Sequence, residues 1–279
     1  MNKINVLLED RKPPESKDPK LKTIYKNLRR KLLKTIEKFS LIDTSGNDTI
    51  LLGVSGGKDS LLLSKLLNDI NGKSNYKFKF KVVHIYPDFG EERDKIKENI
   101  EFFMNLWGIK YEVIKASILG SLKSGFSMNC YWCSMQRRIR LMEYAQKNDF
   151  TKIALGHHLD DITTTLLMNI IYNGNMASMS IKMKYKKFNF EIIRPMGLIR
   201  EEEIKKFWKY YPYKYYQPKG KCPYLNKNSA REKIKNFINE MDKIIPHAKE
   251  NIIAAENNIN LEYLNILEDG IKKIKDFTY

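Results

Sequence analysis

The sequence predicts an α/β fold, a doubly wound and mostly parallel five-stranded sheet with helical additions at both ends. Three observations carry this. Short apolar runs alternate with amphipathic helical stretches from residue 49 to residue 195, the order that right-handed crossovers turn into a parallel sheet. The stretch Thr49 to Leu67 passes from a buried strand through Ser55-Gly-Gly-Lys-Asp-Ser60 directly into a helix. A second polar turn, Gly156-His-His-Leu-Asp-Asp161, also follows a strand-like run. Both turns then fall on the carboxyl edge of one sheet, where open α/β sheets bind ligands.

A chain of 279 residues, 42% hydrophobic and 30% charged, is ample for a core and has the composition of a soluble protein. It has no apolar run of about 18 residues, and Met1 to Asp10 lacks a signal-peptide core. A cytoplasmic location without a membrane partner is expected. Fifty Lys and Arg against thirty-three Asp and Glu leave a net charge of +17. That excess favours a polyanionic partner, nucleic acid first, although a Lys- and Asn-rich composition produces it as well. Three cysteines, Cys130, Cys133 and Cys222, are too few for a disulfide framework. A Cys-x-x-Cys pair in such a chain points to metal binding or redox work.

The elements are expected in this order. Residues 1 to about 18 form a polar, proline-containing lead-in, followed by a basic amphipathic helix over Lys22 to Phe39. Its charged face includes Arg29 and Arg30 and suits phosphate contact or plain solvation. Strands are expected at Ile50–Val54, Tyr76–Tyr86, Tyr111–Ile114, Thr151–Leu155 and Phe190–Pro195. Helices follow at Ser60–Leu67, Glu91–Trp107, Ser134–Lys147 and Ile162–Tyr172. From Arg200 the chain turns helical, with an aromatic and basic patch at 208–216. The divisions expected are a lead-in and helix (1–45), an α/β domain (46–200) and a helical C-terminal region (201–279).

The chemistry sits at the two turns and the cysteines. A strand, a glycine turn and a helix gather free backbone N–H groups where phosphate binds, and Lys58 adds charge. Ser55, Gly56, Gly57, Lys58, Asp59 and Ser60 are the expected phosphate cradle. Asp88, just past the second strand, is either a nucleotide contact or a turn residue. Asp160 and Asp161 either position Mg²⁺ or cap the next helix; Gly156 and His157 would border the nucleotide. Cys130, Cys133 and Cys222 lack the fourth ligand of a structural zinc site, and three thiolates fit an iron–sulfur cluster with one open iron.

The spacing of Ser55-Gly-Gly-Lys-Asp-Ser60 is not that of the Walker loop; it resembles the PP-loop of the ATP pyrophosphatases, whose fold is adenine-nucleotide hydrolase-like. Lys26-Asn-Leu-Arg-Arg-Lys31, Cys130-x-x-Cys133 followed by Arg137-Arg138, Gly156-His-His-x-Asp-Asp161 and Arg194-Pro195 occur in the order of the tRNA 2-thiocytidine synthetases. The resemblance covers residues 22 to about 230. It implies adenylation of a tRNA base carbonyl with ATP and Mg²⁺, with Lys58, Asp59 and Asp161 as catalytic residues. It also implies a [4Fe–4S] cluster on the three cysteines and replacement of the activated oxygen by sulfur. RNA contacts are expected from Arg29, Arg30, Arg137, Arg138 and Arg194, and the partners implied are tRNA, a sulfur donor (a cysteine desulfurase or free sulfide) and a second copy of the chain. The Cys222-Pro-Tyr-Leu surroundings are closer to the tRNA 2-thiouridine enzymes, so the base stays open. The other readings are a lysidine-type or amide-forming PP-loop ligase and a non-catalytic RNA- or metal-binding protein.

Overall fold

The structure, a computed structural model, describes residues 18–71, 76–122, 127–185, 187–218 and 230–263. Its sheet has six strands, one more than the sequence suggests: β1 Thr49–Gly53, β2 Lys79–Pro87, β3 Tyr111–Ala116, β4 Lys152–Ala154, β5 Lys182–Lys184 and β6 Glu191–Ile193. Their spatial order is β3-β2-β1-β4-β6-β5. All neighbours are parallel except β5, which runs antiparallel to β6. The extra strand is only Lys-Met-Lys and largely exposed. Pairing with β6 creates it, not local propensity, and lysines are common guards of such an edge.

Chain order and spatial order together make the crevice. The chain steps from β1 outward to β2 and β3, then crosses back to place β4 on the other side of β1. The carboxyl ends of β1 and β4 therefore flank the topological switch point. Both polar turns leave from there.

Eight helices follow among the described residues: α1 Pro19–Lys38, α2 Lys58–Ile70, α3 Arg93–Leu106, α4 Cys130–Lys147, α5 Leu159–Asn173, α6 Glu201–Tyr210, α7 Ala230–Ile244 and α8 Ala248–Ala255. Four of them (α1, α2, α4 and α5) start earlier than the apolar periodicity suggests, because polar caps and first turns carry no hydrophobic signal. The α1 start is set by Asp18, whose carboxylate accepts from Lys20 N at 2.8 Å, and by Pro19 in the first turn. The start of α4 is set by Asn129, whose side chain accepts from Trp132 N at 2.8 Å. Cys130 and Cys133 thus lie inside the first turn of α4. Asp160 and Asp161 lie inside that of α5.

The sheet is covered on both faces, but unequally. Ile50, Leu52, Ala154 and Ile193 point into a large core with α1, α2, α3, α5 and α6. Leu51, Ile153 and Ile192 point the other way, onto Leu141, Met142 and Ala145 of α4. An aromatic cluster locks α6 to α3: Phe103 and Trp208 have ring centroids 5.3 Å apart, and Trp107 and Tyr211 6.3 Å. Trp107 Nε1 donates to Tyr211 Oη at 2.7 Å. Trp208, in the same cluster, donates to the Lys58 carbonyl at 2.9 Å. The cluster therefore fixes α6 against the start of α2.

Phe103 has no solvent exposure, so Phe103→Ala is expected to cost about 3–5 kcal/mol by loss of burial and creation of a cavity. Lys184→Ala, on the exposed strand, is expected to stay within about 0.5 kcal/mol. Urea midpoints at constant m-value check both.

Candidate nucleotide and cysteine site

The loop after β1 can only be built with glycine at one point. Gly56 has φ +87°, and a Cβ there would lie 2.5 Å from Ile96 Cγ2. Ser60 then closes the loop on itself. Its Oγ accepts from Ser55 N at 3.2 Å and donates to the Gly57 carbonyl at 3.1 Å. Gly57 is the N-cap of α2 and offers no side chain as a cap. The first N–H groups of α2 thus face outward without intrahelical partners, as an anion site requires. Gly156 stands against this turn: a Cβ there would be 3.0 Å from Ser60 Cα and N. The close approach that Gly156 allows is that of the α2 N-terminus.

Charges alternate around the loop. Lys58 Nζ lies 2.9 Å from Asp59 Oδ2 and 3.0 Å from Glu201 Oε1. Burial works against its charge, yet the two carboxylates outweigh it and raise its pKa. Asp59 is pushed up, chiefly by burial, and its buried Oδ1 has no hydrogen-bond partner. His158 is the hub: its ring nitrogens lie 3.8 Å from Asp59, 3.6 Å from Asp160 and 3.4 Å from Asp161. Burial alone would lower its pKa, but these carboxylates raise it. His157 goes the other way. Burial brings its pKa down to about 4; Asp161 opposes this, and Arg194 and Arg138 add to it. Arg194 Nε donates to His157 Nδ1 at 3.3 Å, which leaves the proton of the neutral ring on Nε2.

The two adjacent acids have separate tasks. Asp160 accepts from Glu201 N at 2.7 Å and pairs with Lys249 Nζ at 2.5 Å. It is a buried clamp holding α5, α6 and α8 together, with its pKa well below the usual range despite burial. Asp161 accepts from His158 N at 3.3 Å and pairs with Arg231 at 2.8 Å, and its partly exposed carboxylate faces His158.

The cysteines meet the loop across a cavity of about 410 Å³, lined by Ser55, Cys130, Cys133, Arg137, Arg138 and His157. Cys130 and Cys133 are one turn apart on the same face of α4, at its N-terminal end. Cys222 lies outside the described residues, and no group of three His, Cys, Asp or Glu residues arranged for a metal occurs among those described.

Other expected site residues lie elsewhere. Both Asp88 oxygens are engaged by the amides of Ile118, Leu119 and Gly120 and the Ser117 hydroxyl, at 2.9 to 3.2 Å. It holds the turn after β3. Arg194 is 4% exposed and also donates to the Ser180 carbonyl, so it supports His157 from within instead of presenting itself to RNA. Arg29 is half-buried on α1, and Arg30 lines a groove with Lys31, Lys34 and Lys38. Sequence reasoning missed His158, Glu201, Arg231, Lys235 and Lys249. His158 was legible in its motif; the others reach the site only through the packing of α6, α7 and α8.

Asp160→Asn would leave the buried Lys249 ammonium with a weakened partner, at a cost of about 3 kcal/mol at pH 7. Because the folded pKa of Asp160 is depressed, this stabilisation is complete above about pH 3.8 and is lost as the pH falls through the folded value. Urea unfolding of wild type and variant between pH 7 and 3 should show the difference shrinking only at the acid end.

A family model described as a PP-loop domain matches residues 24–238. A tRNA-cytidine(32) 2-sulfurtransferase of Coxiella burnetii (strain CbuG_Q212) is 30% identical over 246 residues, 85% of this chain and 91% of its own length. One from Alcanivorax borkumensis is 31% identical over 251 residues, covering 87% and 84%. The solved structure of the U34-tRNA thiolase NcsA from Methanococcus maripaludis with its [4Fe–4S] cluster aligns with a TM-score of 0.71 at 24% identity, over 88% of this chain and 82% of that one. That last likeness is one of fold. The glycine loop at the switch point and relatives aligned along most of both chains give one answer: the chain belongs to the PP-loop family, together with the tRNA-cytidine(32) 2-sulfurtransferases.

Proposed function

We propose that the chain is an ATP-dependent tRNA 2-thiolase. It adenylates the C2 oxygen of a tRNA pyrimidine, cytidine first in view of its relatives, and exchanges that oxygen for sulfur. The observation that carries this reading is the single cavity that Ser55 of the phosphate loop shares with Cys130 and Cys133. A nucleotide ligase would need the loop but not the thiols. A metal store would need the thiols but not the loop.

The α2 N-terminus and the Ser55–Ser60 loop bind the ATP phosphates, and Lys58 neutralises charge that develops as pyrophosphate leaves. The base oxygen attacks the α-phosphorus, the bond to the bridging oxygen breaks, and a poor leaving group becomes AMP. Neutral His157, with its proton on Nε2, borders the cavity as a hydrogen-bond donor to the base or the ribose. Asp161 and Asp59 would hold Mg²⁺; the buried Asp59 oxygen that accepts no hydrogen bond fits that task, whereas both oxygens of Asp160 are engaged. Cys130 and Cys133 fit a cluster through their shared helix face and the arginines one turn on, and Cys222 would be the third ligand. A [4Fe–4S] cluster bound there supplies an iron open to sulfide. Sulfide comes free or from a cysteine desulfurase, in the cytoplasm. Arg138 and the basic face of α1 at Arg30, Lys34 and Lys38 hold the tRNA backbone, and a salt-sensitive affinity follows.

Anaerobic assays with ATP, sulfide and tRNA test this. Wild type should contain iron and labile sulfide, release pyrophosphate and form a 2-thiolated nucleoside detected by mass spectrometry. Lys58→Ala should lose about 10²–10³-fold in kcat. Cys130→Ser and Cys133→Ser should lose iron and thiolation while still binding ATP. Full thiolation by the cysteine variants would overturn the proposal.

A further inference from the structure

Beyond the loop itself, the C-terminal helix α7 reaches the ATP site with two cations. Arg231 and Lys235 stand four residues apart, on one face of α7. Arg231 Nη2 lies 2.8 Å from Asp161 Oδ1, and Lys235 Nζ lies 2.9 Å from Glu201 Oε2. The other oxygen of Glu201 is held by Lys58 Nζ at 3.0 Å. Two ammonium groups, one from the phosphate loop and one from α7, therefore share a single carboxylate.

The contacts close into a ring. Lys58 pairs with Asp59, Asp59 faces His158, His158 faces Asp161, and Asp161 pairs with Arg231. One helical turn along α7, Lys235 leads back through Glu201 to Lys58. Lys205, 3.0 Å from Glu201, adds a further cation. Arg231 and Lys235 are about one-third exposed, so a ligand in the crevice can reach them.

Resting on the ATP-dependent reading above, we infer that Arg231 and Lys235 form a second jaw that binds the β- and γ-phosphates of ATP and the departing pyrophosphate. When the base oxygen bonds to the α-phosphorus, the electron pair of the breaking bond goes to the bridging oxygen of pyrophosphate. The new charge appears on the side away from the base. Lys58 and the α2 N-terminus meet that charge from the loop; α7 adds two cations that share their carboxylate neighbourhood. In the ring, carboxylates hold these cations in place. A phosphate oxygen carries more charge than a carboxylate oxygen and matches the planar guanidinium fork. It takes over Arg231 and Lys235, and frees Asp161, the carboxylate that Arg231 holds, for a cation.

Titration calorimetry of the full chain with inorganic pyrophosphate, with ATP and with AMP tests the jaw. Arg231→Gln and Lys235→Gln should each weaken pyrophosphate and ATP about tenfold or more, the scale of one lost charge-assisted contact. AMP, which lacks the two outer phosphates, should change no more than about twofold. Lys235→Gln is the safer variant for folding, because Glu201 keeps Lys58 and Lys205. Unchanged pyrophosphate affinity in Lys235→Gln overturns the inference. Equal losses of AMP and pyrophosphate also overturn it, since they assign the residues to holding α7 in place. Wild type that binds neither ATP nor pyrophosphate overturns the ATP-dependent reading itself, and this inference with it.

Discussion

One ammonium group, Lys58 Nζ, sits at the start of α2 between Asp59 at 2.9 Å and Glu201 at 3.0 Å. The first acid belongs to the phosphate loop and the second to the helix that follows the sheet, so this contact joins the two halves of the crevice. It is held from behind as well, because Trp208 of the same helix donates to the Lys58 carbonyl. A charge so placed is expensive to bury alone and stable only with both partners. The position of α6, and through it of α7 and α8, follows from satisfying that lysine and from the aromatic cluster around Phe103 and Tyr211.

Asp160 and Asp161 show how adjacent residues of one type diverge. In the first turn of α5 their side chains point about 100° apart. Asp160 therefore turns inward to Lys249 and the Glu201 amide, while Asp161 turns to His158 and the crevice. The inward acid makes the outward one usable. It fixes the first turn of α5 from below, and that turn carries His158 and Asp161 as rigidly as it carries the clamp.

The legible parts of the sequence were those with local causes. The glycine loop, the alternating strands and the Cys-x-x-Cys pair announce themselves within a few residues, and each was placed on the correct element or next to it. Helix starts were missed where caps replace apolar periodicity, as at Asn129 and Asp18. The strand Lys182–Lys184 has no strand signal of its own and exists because Glu191–Ile193 offers an unpaired edge. Asp88 follows the second of the two readings the sequence left open, a turn residue, and Arg194 is turned inward for a related reason. Their residue types suit a ligand, but three amides already occupy one, and the other is spent on His157 and Ser180. Long-range partners such as Arg231 and Lys249 were invisible, because only tertiary packing brings them in.

The placement of the cysteines follows from the same unequal layering that made one core large and the other small. Only α4 covers the second face of the sheet among the described helices, and its Leu141, Met142 and Ala145 are needed against Leu51 and Ile153. The first turn of α4 lies at the edge of this core, with Trp132 and Cys133 half-buried against it and Cys130 exposed. Cys130 and Cys133 occupy that turn, and Arg137 and Arg138 the next. The side chains that line the cavity recur along α4 at positions 130, 133, 134, 137, 138 and 141, a single helical face. That face is apolar where it rests on the sheet and reactive where it overhangs the phosphate loop. The thiols are thus brought to the cavity they share with Ser55 by the hydrophobic burial of α4.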